Sequence, residues 1–172
     1  MKKSCVQVYT GDGKGKTSAA VGLAVRAAGR GFCVKFVQFL KGRDTGELHV
    51  LKDLRNIDFI RAAGCEKFFH QLSGEEKEQL RTDAGLMLER IKGWLDTADM
   101  LVLDEAMAAI HCGILKLDEV LWIMAHRGGT EVVLTGRGAP EKIIEQADLV
   151  TEMRPIKHYY DAGLKARAGI EY

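Results

Sequence analysis

Proline and cysteine are scarce in this 172-residue chain, with 2 and 4 copies. So few prolines, in a composition 47% apolar and 28% charged, exclude a disordered or fibrous class. The cysteines, Cys5, Cys33, Cys65 and Cys112, form no C-x-x-C pair, which argues against a zinc ribbon and a disulfide framework. They read as buried or free thiols in a reducing cytosol, and a cytoplasmic location is expected. No apolar run reaches the length of a membrane span. Met1-Lys2-Lys3 leads into no apolar stretch of signal-peptide length. The net charge of +1 gives no global pull toward nucleic acid or a membrane surface, so neither partner is expected and any basic site must be local. Repeats, low-complexity segments and linkers are also missing.

What is present fits one domain over residues 1–172, long enough for an ordinary core. Short apolar runs alternate with longer helical patterns. Strands are expected at Cys5–Thr10, Phe32–Leu40, Ile57–Arg61, Asp99–Leu103, Glu131–Thr135 and Leu149–Met153. Helices are expected at Lys16–Gly29, closed by Gly29 and Gly31, at Leu117–His126 and at Pro140–Gln146. A long helix opens at Ser73-Gly74-Glu75-Glu76, which has capping-box spacing, and runs to about Asp96. Such alternation implies βαβ units, a mainly parallel sheet and helices on both faces, with ligands at the C-terminal strand ends.

Three of those strand ends carry chemistry. After Thr10 comes Gly11-Asp12-Gly13-Lys14-Gly15-Lys16-Thr17-Ser18. A strand, a glycine loop and a helix N-terminus in that order make a phosphate cradle. Glycine permits the φ values that converging N–H groups need, and its lack of bulk lets a phosphate approach. Lys16 supplies a mobile charge and Thr17 a hydroxyl for Mg²⁺. The match to G-x-x-x-x-G-K-[ST] is incomplete, because Thr10 stands where the first glycine falls. Lys14 is either a second cation for phosphate or a solvated charge. Met100–Leu103 runs into Asp104-Glu105, carboxylates expected to sit on a strand neighbouring the loop and to hold the metal with Thr17. These features predict an α/β, P-loop NTPase-like (RecA-like) Mg-nucleotide protein. They leave the reaction open, and most such proteins break the β–γ bond of ATP.

The loop Thr10–Ser18 resembles the variant loop, T-G-N-G-K-G-K-T, of the ATP:corrinoid adenosyltransferases of the CobA/BtuR (CobO) type. Val37-Gln38-Phe39-Leu40-Lys41-Gly42, followed by Gly46-Glu47, looks like the family's V-Q-F-x-K-G segment. Val102–Glu105 looks like its V-L-D-E, and Thr135–Gly138 like its T-G-R-G. The tail is the most specific piece: Arg154–His158, Asp161–Ala166 and Gly169–Tyr172 follow the family ending almost position by position. There are two departures. Asp12 replaces the usual Asn, placing a carboxylate near phosphate. The family's Gly-Phe-x-Trp aromatic pair, implicated in displacing the lower axial ligand of cobalt, is replaced by Gly64-Cys65-Glu66-Lys67-Phe68-Phe69. Either Phe68 and Phe69 serve as that wedge, or they pack the core.

The resemblance implies transfer of the 5′-deoxyadenosyl group from ATP to the Co(I) of a corrinoid, with tripolyphosphate leaving whole. It implies that ATP lies reversed relative to ordinary P-loop enzymes. Mg²⁺ or Mn²⁺ is the implied metal, a reduced flavin or flavodoxin-like protein the implied electron donor, and a homodimer the implied assembly. ATP-binding residues are then Gly11, Asp12, Gly13, Lys14, Gly15, Lys16, Thr17, Ser18 and Arg137. The catalytic candidates are Lys14, Lys16 and Glu105; the metal candidates are Thr17, Asp104 and Glu105. Val37, Gln38, Lys41, Glu47, Phe68, Phe69 and Met107 are the candidates for the corrinoid side. The competing readings are a P-loop ATPase or kinase cleaving the β–γ bond, and a non-catalytic carrier of corrinoid or nucleotide.

Overall fold

A computed structural model describes residues 3–62, 64 and 69–172. Six strands form one sheet: β1 Val6–Thr10, β2 Val34–Phe39, β3 Ile57–Ala62, β4 Met100–Asp104, β5 Glu131–Thr135 and β6 Leu149–Glu152. Their spatial order is β3-β2-β4-β5-β1-β6, and each recorded pairing is parallel. The chain is thus α/β with a parallel sheet, as the alternation of periodicities predicts. The helices are α1 Lys16–Ala28, α2 Gly46–Leu51, α3 Gly74–Trp94, α4 Ala106–His111, α5 Leu117–Ala125 and α6 Glu141–Gln146. The six-residue helices α2 and α4 go beyond the sequence reading.

The two-residue period of the strands sorts side chains between two cores. Val34 and Phe36, Met100 and Val102, and Val133 face α1 and α2, where Ala20, Ala24 and Ala27 let the helix lie close to the sheet. Phe36 stacks on Phe59 there, ring centroids 5.4 Å apart. Val37 and Phe39, Leu101 and Leu103, and Val132 and Leu134 face the opposite layer, built from α3 to α6. The α3 capping box forms as expected: Ser73 N donates to the Glu76 carboxylate at 2.8 Å, and Glu76 N donates to Ser73 Oγ at 3.1 Å. At the other end of α1, Gly29 is helical and Gly31 takes the left-handed conformation, φ 82°.

The sheet order changes one expectation. β4 does not neighbour β1; β5 lies between them. The acidic strand end therefore reaches the glycine loop across the end of β5, where Thr135 stands.

Candidate active site

The glycine loop closes onto the chain that leaves β6. Gly13 N donates to Met153 O at 2.7 Å. A Cβ on Gly13 would lie 2.6 Å from that oxygen, and one on Gly11 2.5 Å from it. Smallness is thus required by the protein's own backbone as well as by a phosphate. Gly11 and Gly15 also need glycine for their left-handed φ of 93° and 119°. Lys16 is buried and folds back over the loop, its Nζ donating to Gly11 O at 2.6 Å and Gly13 O at 2.7 Å. Burial holds the Lys16 ammonium below its ordinary pKa, and Arg137 pushes the same way.

Asp104 is the hub. It has no exposed surface, and its carboxylate accepts four hydrogen bonds. Oδ1 takes Thr17 Oγ1 at 2.9 Å and Thr135 Oγ1 at 2.7 Å. Oδ2 takes Gln38 Nε2 and Lys41 Nζ, both at 3.0 Å. Lys41 Nζ also donates to Thr17 Oγ1 at 3.1 Å and lies 3.9 Å from Glu47 Oε1. Arg61 on β3 orients the amide of Gln38, donating from Nε to Oε1 at 3.1 Å. Its two other nitrogens hold Arg43 O and Thr45 Oγ1 at 2.7 and 2.8 Å, so it also ties down the loop after β2.

Two residues without glycine's freedom sit at the strand exits in left-handed conformation: Leu40 after β2, φ 59°, and Glu105 after β4, φ 60°. Such strain costs about 1–3 kcal/mol apiece and gathers at functional sites. Glu105 N donates to Thr135 Oγ1 at 2.9 Å, so Thr135 joins both acidic residues. Burial raises the Glu105 carboxyl above its usual range, the Asp104 charge adds to this, and Lys41, Lys16 and Arg137 oppose it. A raised carboxylate pKa makes the folded state the better proton binder. Its charge therefore costs stability that is absent below the ordinary glutamate value and grows as pH rises through the folded one. Glu105→Gln should raise the melting temperature of metal-free protein by a few degrees at pH ~7 and leave it unchanged at pH ~4, by calorimetry.

The C-terminal segment supplies the remaining wall. Lys14 Nζ donates to Tyr159 Oη at 2.8 Å, Ile170 O at 3.0 Å and Glu171 Oε1 at 2.6 Å, using all three of its N–H bonds on the tail. Arg167, Lys14 and Tyr159 together hold the Glu171 carboxyl well below the usual range.

These elements enclose a cavity of about 560 Å³, within the size range of small-molecule sites. Asp12, Gly13, Lys14, Gly15, Lys16, Thr17, Ser18 and Arg137 line it, as do Lys41, Glu47 and Glu105. Thr45, Gly46, His158 and Gly169–Tyr172 complete the lining. The structure brings most of the sequence-derived set together. Gln38 stands behind the wall, fully buried. Val37 and Met107 instead belong to the core with no exposed surface; the Met107 side chain packs where a Cβ on Gly136 would fall, 2.7 Å from its own Cβ. Phe69 packs against the same core, with Lys77 Nζ 5.2 Å from its ring centroid. Phe68 lies outside the described residues. Residues missed by the sequence reading are Thr135, Arg61 and Tyr159. Thr135 was visible as the hydroxyl opening the Thr-Gly-Arg turn; Arg61 and Tyr159 carry no local signal, because their partners are distant in sequence.

A model of the family described as ATP:corrinoid adenosyltransferase BtuR/CobO/CobP matches residues 2–172. Among curated proteins, the chain is 38% identical to the corrinoid adenosyltransferase CobA of Salmonella typhimurium, over 99% of this chain and 87% of that one. It is 36% identical to the corrinoid adenosyltransferase of Escherichia coli K12, with the same coverage. It is 36% identical to that of Pseudomonas aeruginosa, over 99% of this chain and 85% of the relative.

Proposed function

The chain belongs to the ATP:corrinoid adenosyltransferase family and is a transferase, and from that premise we propose that it moves the 5′-deoxyadenosyl group of ATP to the Co(I) of a corrinoid and releases tripolyphosphate. The observation that carries this reading is the cavity on which Lys14, Lys16, Arg137 and Thr17 meet, with buried Asp104 bonded directly to Thr17. In the proposed reaction the cobalt electron pair attacks C5′ of the ribose. The Co–C bond forms and the C5′–O bond breaks, its electron pair leaving on the α-phosphate oxygen. The nucleophile carries no proton, so no general base is required.

The protein's task is then electrostatic. Charge grows on the departing oxygen, and cations already in place there lower the barrier. Lys16 would exchange the carbonyls of Gly11 and Gly13 for phosphate oxygens, and Lys14 would release a tail acceptor to do the same. The oxygens around Lys41 fit a hard cation, since an ammonium already bridges Asp104 Oδ2 and Thr17 Oγ1. Thr17, Asp104 and Glu105 would hold Mg²⁺ or Mn²⁺, which when bound supplies further positive charge to the leaving group. Among the described residues no group of three or more His, Cys, Asp or Glu side chains is gathered to hold a metal ion, so the Thr17 hydroxyl is an essential part of the set.

Of the corrinoid candidates, Lys41 and Glu47 face the cavity and carry that part of the proposal. A reduced flavin or flavodoxin-like donor to bring Co(II) to Co(I), a homodimeric assembly, a single domain over 1–172 and a cytoplasmic setting complete it. No helix among the described residues is long and apolar enough to cross a membrane. The test is product analysis: with ATP, Mg²⁺ and chemically reduced cob(I)alamin, tripolyphosphate should form one for one with adenosylcobalamin. ADP as the main product would replace this reading with an ATPase or kinase.

A further inference from the structure

We propose that Lys41 is a built-in counter-ion for the divalent-cation position, and that metal and Lys41 exchange there. Of the four donors on Asp104, three are neutral: the hydroxyls of Thr17 and Thr135 and the amide of Gln38. Lys41 is the charged one, at 3.0 Å from Oδ2. Lys16, a second lysine at this end of the loop, is turned to the carbonyls of Gly11 and Gly13. A fully buried carboxylate is costly without a charge partner. Glu47 and the buried flank of Glu105 add to the negative field. Lys41 answers that field in the metal-free protein.

Its position makes the exchange necessary. The ammonium lies 3.1 Å from Thr17 Oγ1 and 3.9 Å from Glu47 Oε1 as well as on Asp104. A hydroxyl and two carboxylates are the oxygen ligands a hard divalent ion takes. An ion bonded to Asp104 Oδ2 and Thr17 Oγ1 would stand within a few ångströms of the ammonium, where like charges repel steeply. One cation must leave, and Lys41 has somewhere to go. Its side chain is one quarter exposed and lines the cavity. The loop beneath it is anchored by Arg61 through Arg43 O and Thr45 Oγ1, so the swing is confined to the lysine stem. Arrival of metal thereby places one cation beside the leaving group and turns a second toward it. This gives Lys41 and Glu47 a task at the metal position in addition to any contact with the corrinoid.

The inference takes from the proposed function only the premise that a divalent ion is held beside Thr17 and Asp104. Its tests contain neither nucleotide nor corrinoid, so their failure leaves the transfer reaction standing, and failure of the product analysis leaves the exchange standing. The first test measures Mn²⁺ binding by electron paramagnetic resonance in wild type and Lys41→Met, which keeps the stem and removes the charge. The variant should bind Mn²⁺ at least about tenfold more tightly. Equal or weaker binding, or none in the variant, overturns the proposal. The second uses the native protein and does not depend on the variant folding. Acetic anhydride labelling of the Lys41 amine, read by mass spectrometry, should rise several-fold when Mn²⁺ is added. Unchanged or reduced labelling overturns the proposal.

Discussion

Lys16→Ala should cut kcat for adenosyl transfer by roughly 10²–10³-fold, the loss typical for one preorganised donor at a site of developing charge. The same change should leave the melting temperature within a degree or two of wild type. The two halves of this prediction come from the same geometry. Lys16 is buried, and burial with Arg137 works against its charge. Removing that charge relieves a cost to the fold, which offsets the donors lost by Gly11 O and Gly13 O. For the reaction nothing replaces it: Lys16 opens α1 at the mouth of the glycine loop, and among the described residues it is the lysine that bonds those carbonyls. Lys16→Arg should not restore the rate, because a planar fork cannot follow a compact ammonium into that space. Single-turnover kinetics on pre-reduced corrinoid, paired with thermal melts, checks both halves. A large drop in stability with little change in rate would recast Lys16 as a structural brace.

Asp104→Ala should show the opposite pattern, losing stability and activity together. It removes the shared acceptor of Thr17, Thr135, Gln38 and Lys41. Breaking a buried ion pair costs roughly 3–5 kcal/mol, and the partial exposure of Lys41 places this one at the low end. About 3 kcal/mol corresponds to a fall of roughly 6–12 °C in Tm for a chain of this size. Asp104→Asn keeps the shape, so its Tm should fall less, while its Mn²⁺ binding and transfer rate should fall as far as those of the alanine variant. If the asparagine variant transferred at a near-normal rate, Asp104 would be a packing residue and the metal position would have to be sought elsewhere.

The layered α/β plan was legible because it rests on periodicity and local chemistry. The Ser73–Glu76 box, the strand ending at Thr10 and the glycine loop after it are all decided within a few residues. Sheet order is decided by long-range pairing, and it set β5 between β1 and β4. The Thr135 hydroxyl is legible in the Thr-Gly-Arg turn, but its partner is not, because it acts through Asp104, 31 residues away. The assignment of Val37 to a ligand wall failed on position. β2 is an interior strand ending at Phe39, so Val37 faces a helix layer, and only residues beyond the end, such as Lys41, reach the cavity. Met107, a candidate for the corrinoid side, is carried inward by the first turn of α4 against Gly136. The aromatic candidates divided, with Phe69 half-buried against the core and Phe68 outside the described residues.

The Lys14–Glu171 contact puts Tyr172 on the cavity wall, so whatever is attached there stands at the doorway. A spin label or fluorophore coupled through that side chain would report the arrival of a polyphosphate. An affinity handle fused after Tyr172 would crowd the entrance and depress turnover for reasons unrelated to catalysis, whereas Lys3 belongs to the opposite end of β1 and leaves the doorway clear.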